Sequence, residues 1–407
     1  MLRYVLLTVA LVGLVCHAEE SPAMHAGHPN LPDGYEMVAY LNCGAEQECV
    51  GAGGVRIRQD SGSTIDLQSV NGPLGIAVQD GLFLVEGMDE DGDYVLGFTF
   101  WNVDAPATTQ KFQVQGLDVS TLVPPMLWGI QASAYHAGQP TWTRVLAPLE
   151  EFPHFRGSGM RIHLEGESPG APSVVNELFL LKRKSEEMRK RILIVTGDDY
   201  EGHLWRETGP AFAEILRADP RLEVSISESP AVLGASFMKH YDAVLLHFKD
   251  YADRLPLGER VRAGLDRFVS EGGGLIVAHF GCGAFQEWDG FVRVAGRVWD
   301  PALRPHDPYG PFDVRITDDG HPVTQGMEDF TTEDELYTCL VGETPVQVLC
   351  EATSKVDEQP YPMGFVLRVG EGRVFHCPLG HDVNALKSEG ARKLYRRATA
   401  WAVGLEP

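Results

Sequence analysis

Two hydrophobic patterns divide this chain. Between residues 35 and 182, apolar and polar positions alternate in short segments at 54–58 (Val55, Ile57), 81–85, 94–101 and 160–164 (Met160, Ile162, Leu164). Clusters of Gly, Asp, Asn and Pro separate them, the punctuation expected of short strands. A longer apolar stretch at 174–181 closes the region as its last strand. The pattern predicts an all-β sandwich over 35–182. From residue 191 the apolar runs become continuous, at 191–197, 222–226, 241–247 and 274–279. Such runs, bounded by turn residues, predict strands buried on both faces, as in a parallel sheet.

Helical spacing lies between these runs. Phe212, Ile215 and Leu216 mark a helix over 208–217, and Ala263, Leu265, Phe268 and Val269 mark one over 258–271. Alternating strands and helices imply an α/β domain over 191–407 built on a doubly wound parallel sheet. After Phe285 the pattern reads as long loops, until a last strand at 372–377 and a closing helix at 392–403. Residues 183–190, charged and poor in apolar residues, read as a linker.

Composition narrows the partners. At 407 residues the chain is long enough for two domains. A net charge of -23 argues against nucleic acid or an anionic membrane surface, both of which demand a basic face. The same charge suits a neutral or cationic small molecule, or simply keeps the protein soluble. Residues 1–18 look like a secretory signal, with Arg3 at its start, an apolar core at 4–15 and Ala18 at the cleavage end. Lipidation at Cys16 is the weaker alternative, because Val15 is bulky for that signal. The expected location is periplasmic or secreted, with no membrane span, and residues 19–34, which carry His25 and His28, read as a flexible leader. In an exported protein Cys43 and Cys49 are candidates for a disulfide, whereas Cys282, Cys339, Cys350 and Cys377 have no metal-site spacing and read as buried thiols. Trp101, Trp128 and Trp142 fit either core packing or stacking on sugar rings.

The chemistry gathers at strand ends. In open α/β sheets, ligands bind in the crevice beyond the carboxyl ends of the strands. The runs at 191–197, 241–247, 274–279 and 372–377 end in or lead to His203, His247, His279 and His381. Four histidines on one predicted edge are more than one stray core histidine, although any single one could be structural.

At this point the residues resemble a known family. The Thr196-Gly197 strand end followed by Gly202-His203 and Trp205, the Gly272-Gly273-Gly274 strand ending in His279, and Trp299 are joined by His306-Asp307 and His321-Pro322. Asp334-Glu335-Leu336-Tyr337 and Gly372-Arg373-Val374 through Leu379-Gly380-His381 complete the set. Together they look like the trehalose-utilisation (ThuA-like) family, over about 191–404. The resemblance implies a flavodoxin-like sheet similar to class I glutamine amidotransferases. It does not extend over 35–182. Amidotransferase chemistry needs a cysteine thiolate at a sharp turn after a strand, with a histidine and a carboxylate. His279 holds that place here, Cys282 is offset by three positions, and His381 is followed by Asp382 and Val383 rather than by a His-x-Glu pair. Glutaminase activity is therefore not expected, and a displaced Cys282 nucleophile is the minor alternative.

Family membership would imply carbohydrate catabolism through disaccharides or 3-keto-glycosides. Isomerisation, elimination or hydrolysis of an oxidised sugar needs a base and an electrophile to hold the enolate. His279, His381 and Glu335 are the catalytic candidates, with His279 as base. His203, Trp205, His247, Trp299 and Asp334 are candidates for binding substrate, and Trp288 is a further stacking candidate. A divalent metal, zinc or manganese, would be held by His306 with His279, Glu335 and His381. His321, before Pro322, reads as a turn residue. No nucleotide cofactor is expected. The expected partner is a small sugar, self-association is left open, and the rival function is a non-catalytic carbohydrate-binding protein using the same crevice.

Overall fold

The computed structural model describes residues 35–43, 48–51, 54–66, 76–88, 94–101, 108–116, 126–132, 135–136, 139–140, 142–148, 159–166, 174–183, 189–197, 202–228, 230–234, 236–250, 257–285 and 288–407. The expected signal (1–18, with Cys16), the leader (19–34, with His25 and His28) and residues 184–188 of the linker lie outside them. The side chains of Trp101, Trp128 and Trp142 are likewise not among those described.

The N-terminal region is antiparallel and strand-rich, with ten strands among the described residues in one hydrogen-bonded network. Val174–Arg183 pairs with both Tyr35–Asn42 and Tyr94–Trp101. Gly159–Gly166 lies between Ile76–Glu86 and Thr108–Gly116. The long apolar stretch of Val174–Arg183 follows from its position: Leu178 and Leu180 join the main core, while Phe179 and Leu181 pack with Tyr35 and Val95 in a second cluster. Both faces of this strand are covered, so no polar alternation survives. Cys43 and Cys49 are buried thiols and do not form the disulfide offered by the sequence. At the end of the strand Arg183 reaches across to Glu223, with Nη2 3.0 and 2.8 Å from the two carboxylate oxygens.

The C-terminal part, numbered here from its first strand, is an α/β fold on a mixed sheet with nine strands among the described residues. Its elements are β1 (Lys190–Thr196), α1 (Trp205–Arg217), β2 (Leu222–Ser227), β3 (Ala243–His247), α2 (Glu259–Ser270), β4 (Gly274–Ala278), α3 (Phe291–Ala295), β5 (Gly310–Ile316), β6 (Phe330–Asp334), β7 (Gln347–Thr353), β8 (Pro360–Val369), β9 (Gly372–Cys377) and α4 (Glu389–Ala402). The strand order is β2-β1-β3-β4-β9-β8-β7-β5-β6. The first five strands are parallel, as their continuous apolar runs predict. Every residue of β3 and β4 is buried. Phe212, Ala213, Ile215 and Leu216 of α1 pack with Leu394, Tyr395 and Ala398 of α4 in one core.

The other strands correct the expectation of long loops after Phe285. β8, β7, β5 and β6 extend the sheet with antiparallel pairing. In β5 Phe312 and Val314 are buried between exposed Pro311, Asp313 and Arg315, the alternation of a strand with one covered face. The sheet is therefore mixed rather than wholly parallel. Among the described residues no helix is long and apolar enough to cross a membrane.

Candidate functional site

The site forms beyond the carboxyl ends of β4 and β9, where the segment at the end of β6 meets them. β4 ends at Ala278, and His279 opens a short 3-10 turn, His279–Gly283, with φ of +46°. Few residues other than glycine adopt that region, and such strain clusters at functional positions. The turn lies close against β3. A Cβ on Gly281 would stand 2.4 Å from the carbonyl oxygen of Leu246, so only glycine permits this approach. The consequence is a fully buried His279 ring aimed past the end of the sheet.

Hydrogen bonding assigns its tautomer. Nδ1 lies 2.7 Å from the carbonyl oxygen of Pro378, which can only accept, so Nδ1 carries the proton. Nε2 of the neutral ring is then a lone-pair acceptor, and the Tyr337 hydroxyl donates to it at 2.9 Å. Burial holds His279 well below the usual imidazole range, reinforced by His203 and opposed by Glu335. The ring is neutral at physiological pH.

Glu335 is the hub. Its Oε2 is 3.1 Å from His381 Nδ1 and 3.7 Å from His279 Nε2, and its Oε1 is 3.3 Å from His306 Nε2. Burial alone would raise this carboxyl, but His381, His279 and His306 outweigh it and hold the group below its ordinary value. His381 shows the converse. Burial alone would lower it, yet Glu335, with Asp334 and Asp382 farther off, raises it above the ordinary value. His203 completes the group, its ring centroid 5.1 Å from His279 and 5.2 Å from His381. Burial and the neighbouring His381 push it down to about 2. His203, His279, Glu335 and His381 each offer one donor atom within 4.8 Å of the others.

Local pairing explains why Glu335, Tyr337 and His306 converge. Asp307 N–H donates to the Leu336 carbonyl and Thr338 N–H to the Pro305 carbonyl, so 305–307 and 336–338 run as a short antiparallel bridge. Alternate residues of an extended segment share a face, which places Glu335 and Tyr337 together. Asp334, fully buried, accepts the backbone N–H groups of Glu335 (2.8 Å), Gly380 (2.6 Å) and His381 (3.2 Å). It thereby joins β6 to the loop that carries His381. Burial pushes its carboxyl up to about 7 against those hydrogen bonds.

The expected site residues fall into two groups. His279, His381, Glu335 and His203 are brought together, and His306 reaches the outer oxygen of Glu335 and lies beside the Tyr337 ring. His306 therefore stands outside the four-residue donor group expected to include it, and His203 occupies that place. Trp299 is half-buried with its edge on Tyr337 and Lys249 Nζ 4.1 Å above its ring, so it borders the site. Three others do not face it. Trp205 is 3% exposed within the core, with the Arg206 guanidinium over its indole, so no sugar can stack there. His247 is fully buried beneath Phe280, its Nε2 2.6 Å from the Thr208 hydroxyl, and burial lowers it to about 3. Asp334 is a positioning group rather than a contact for substrate. Trp288 packs against Phe285 and Phe291. His321 belongs to a turn, its Nδ1 accepting from Val323 N–H, as expected. Cys282 is fully buried, and burial together with Cys339 pushes its thiol up, the opposite of an activated nucleophile. Tyr337 is the functional group that sequence reasoning left without a role. Its signal was its place two residues beyond Glu335.

Comparison with known proteins follows the same boundaries. The profile of a family described as "ThuA: Trehalose utilisation" matches residues 191–402. None of the curated proteins matches the chain. Among solved structures, a ThuA-like protein from Parabacteroides merdae ATCC 43184 is 22% identical with a TM-score of 0.48, covering 53% of this chain and 90% of that one. Another from Bacteroides uniformis ATCC 8492 is 18% identical with a TM-score of 0.45, covering 53% and 91%. A glutamine amidotransferase from Thermotoga maritima is 11% identical with a TM-score of 0.35, covering 53% and 99%.

Proposed function

Because the chain belongs to the trehalose-utilisation (ThuA) family, which suggests a carbohydrate-related role, we propose that it is an exported enzyme transferring protons on an oxidised sugar. The observation that carries this reading is the fixed tautomer of His279: Nδ1–H is committed to the Pro378 carbonyl, so the Nε2 lone pair faces Glu335 and Tyr337. A buried neutral imidazole with a fixed lone pair is a general base, freed for substrate when the Tyr337 hydroxyl that it accepts turns aside. His279 removes a proton from the carbon next to a sugar carbonyl. The charge that develops on the carbonyl oxygen is met by His381, whose contact with Glu335 favours its protonated form. Tyr337 and Glu335 hold the two imidazoles in register. Isomerisation and elimination both proceed from the enolate so formed.

The test is proton NMR of a panel of 3-keto-glycosides in deuterated buffer, with the full chain and with His279→Asn. Asn tolerates the positive φ at this position better than Ala does. Exchange or conversion by the native protein that falls by about 10²–10⁴ in the variant, with sugar binding retained, supports the reading. Binding without exchange in either protein contradicts it and favours a carbohydrate-binding protein using the same crevice. Export is checked by fractionating cells that express the full chain.

A further inference from the structure

We propose that His203, Glu335 and His381 form a binding site for a divalent first-row cation such as Zn²⁺ or Mn²⁺, with His279 beside it as the base rather than as a ligand. The inference builds on the proposed active site. Three observations carry it. First, the donor atoms of these residues lie within 4.8 Å of one another and come from three separate segments: the lead into α1, the segment after β6 and the loop after β9. Two imidazoles and one carboxylate form a donor set that suits Zn²⁺ and Mn²⁺ and leaves coordination positions open for substrate.

Second, the carboxylate is already supported from outside. Its far oxygen faces His306 Nε2 at 3.3 Å, and His306 Nδ1 is itself tied to the Asp307 carbonyl at 2.7 Å. Asp334 anchors the backbone of both Glu335 and His381. Such outer contacts orient the ligands of metal centres. Third, His279 falls within the same 4.8 Å, but its Nε2 lone pair already accepts the Tyr337 hydroxyl at 2.9 Å. That lone pair is engaged, whereas His381 Nδ1 and Glu335 Oε2, 3.1 Å apart, attract one another only with a proton or a cation between them. A proton fills that place in the proposed active site, and a cation fills it here. A bound cation would stabilise negative charge on the sugar oxygen that His381 otherwise meets.

Zn²⁺ and Mn²⁺ are titrated calorimetrically, without substrate, into the chelator-treated full chain and into Glu335→Gln, His203→Ala, His381→Ala and His279→Asn. Circular dichroism and thermal melts establish that each variant is folded, and Glu335→Gln preserves the shape of the side chain. One ion per native chain is expected. Its affinity should fall by more than about 100-fold in each of the first three variants, beyond the 10–100-fold typical of outer-shell changes. In His279→Asn it should fall by less than about tenfold, since that residue lies outside the proposed ligand set. No binding tighter than about 1 mM (about -4 kcal/mol) overturns the proposal and leaves the protonated His381 as the electrophile. Binding unchanged in folded Glu335→Gln places the ion elsewhere and also overturns it. A loss in His279→Asn as large as in the other variants overturns the three-ligand assignment.

Discussion

The two halves of the nine-stranded sheet contribute differently to the site. The parallel half, β2-β1-β3-β4-β9, delivers histidines. His279 follows β4, His381 follows β9, and His203 lies between β1 and α1. The antiparallel half delivers what makes those histidines differ from one another: Glu335 and Asp334 at the end of β6, with Tyr337 just beyond. An edge with imidazoles alone would hold three neutral rings. With Glu335 inserted among them, His381 is raised while His279 and His203 stay low. Acid and base roles arise where environments push similar groups apart. The lesson is that the crevice of a parallel sheet acquires its asymmetry here from strands that are not parallel.

Changes in each half should therefore act differently. The largest effect is expected in the parallel half, where His279→Asn should lower turnover by about 10²–10⁴, equivalent to about 3–5 kcal/mol, with the fold retained. A variant that retained full activity would mean that another group is the base. Asp334→Ala should act on both halves through the backbone. It leaves the buried N–H of Gly380 and the part-buried N–H groups of Glu335 and His381 without their acceptor, at a cost of about 1–3 kcal/mol. Amide exchange should accelerate at Gly380 and His381 while the amides of β3 keep their protection, and uniform acceleration would mean that Asp334 supports the whole fold.

Acidity probes the buried imidazoles at and near the seam. Burial lowers His247, at the end of β3, to about 3 and His376, in β9, to about 4. Both are neutral when folded, and both take up protons near pH 6.5 when unfolded. The unfolded state therefore binds more protons below about pH 6.5, so the stability is fully present above that pH and falls as the solution is acidified. Each contributes about 1.4 kcal/mol per pH unit between about pH 6 and pH 4. Urea unfolding across this range measures the slope, and His376→Gln should reduce it by about that amount. The smallest effect is expected from Tyr337→Phe, in the antiparallel half. Loss of its hydrogen bond to His279 should lower turnover about fivefold, about 1 kcal/mol, and kinetics with the same 3-keto-glycosides check it. A loss as large as that of His279→Asn would make Tyr337 a proton carrier.

The same division governed what could be read from the sequence. Continuous apolar runs at 191–197, 241–247 and 274–279 gave strands within one or two residues of β1, β3 and β4, because burial on both faces leaves a pattern that no loop imitates. β5 and β8, within the stretch read as long loops, carry Pro311, Pro360 and Pro362, which interrupt apolar runs of the kind that marked the parallel strands. Pro311 sits where β5 pairs with β6 alone, Pro360 opens β8, and Pro362 stands at a register shift opposite Glu351. These are the positions at which a sheet tolerates proline. In the site, His279, Glu335 and His381 were legible from strand ends and motif. The exchange of His203 for His306 was not, because it depends on which side of the Glu335 carboxylate each ring reaches. Trp205, His247 and Asp334 lie near the site in sequence but turn inward. A strand end marks where an edge lies, not which side chains face it.

The central claim concerns a single lone pair. Long-range proton–nitrogen spectra of histidine-labelled, chelator-treated protein, assigned with His279→Asn, report which nitrogen of each ring is protonated. The account predicts that His279 is neutral at pH 7 with its proton on Nδ1, and that its Nε2 resonance moves in Tyr337→Phe and in Glu335→Gln. A proton on Nε2, or a doubly protonated ring at that pH, would leave no base facing Glu335 and would contradict it.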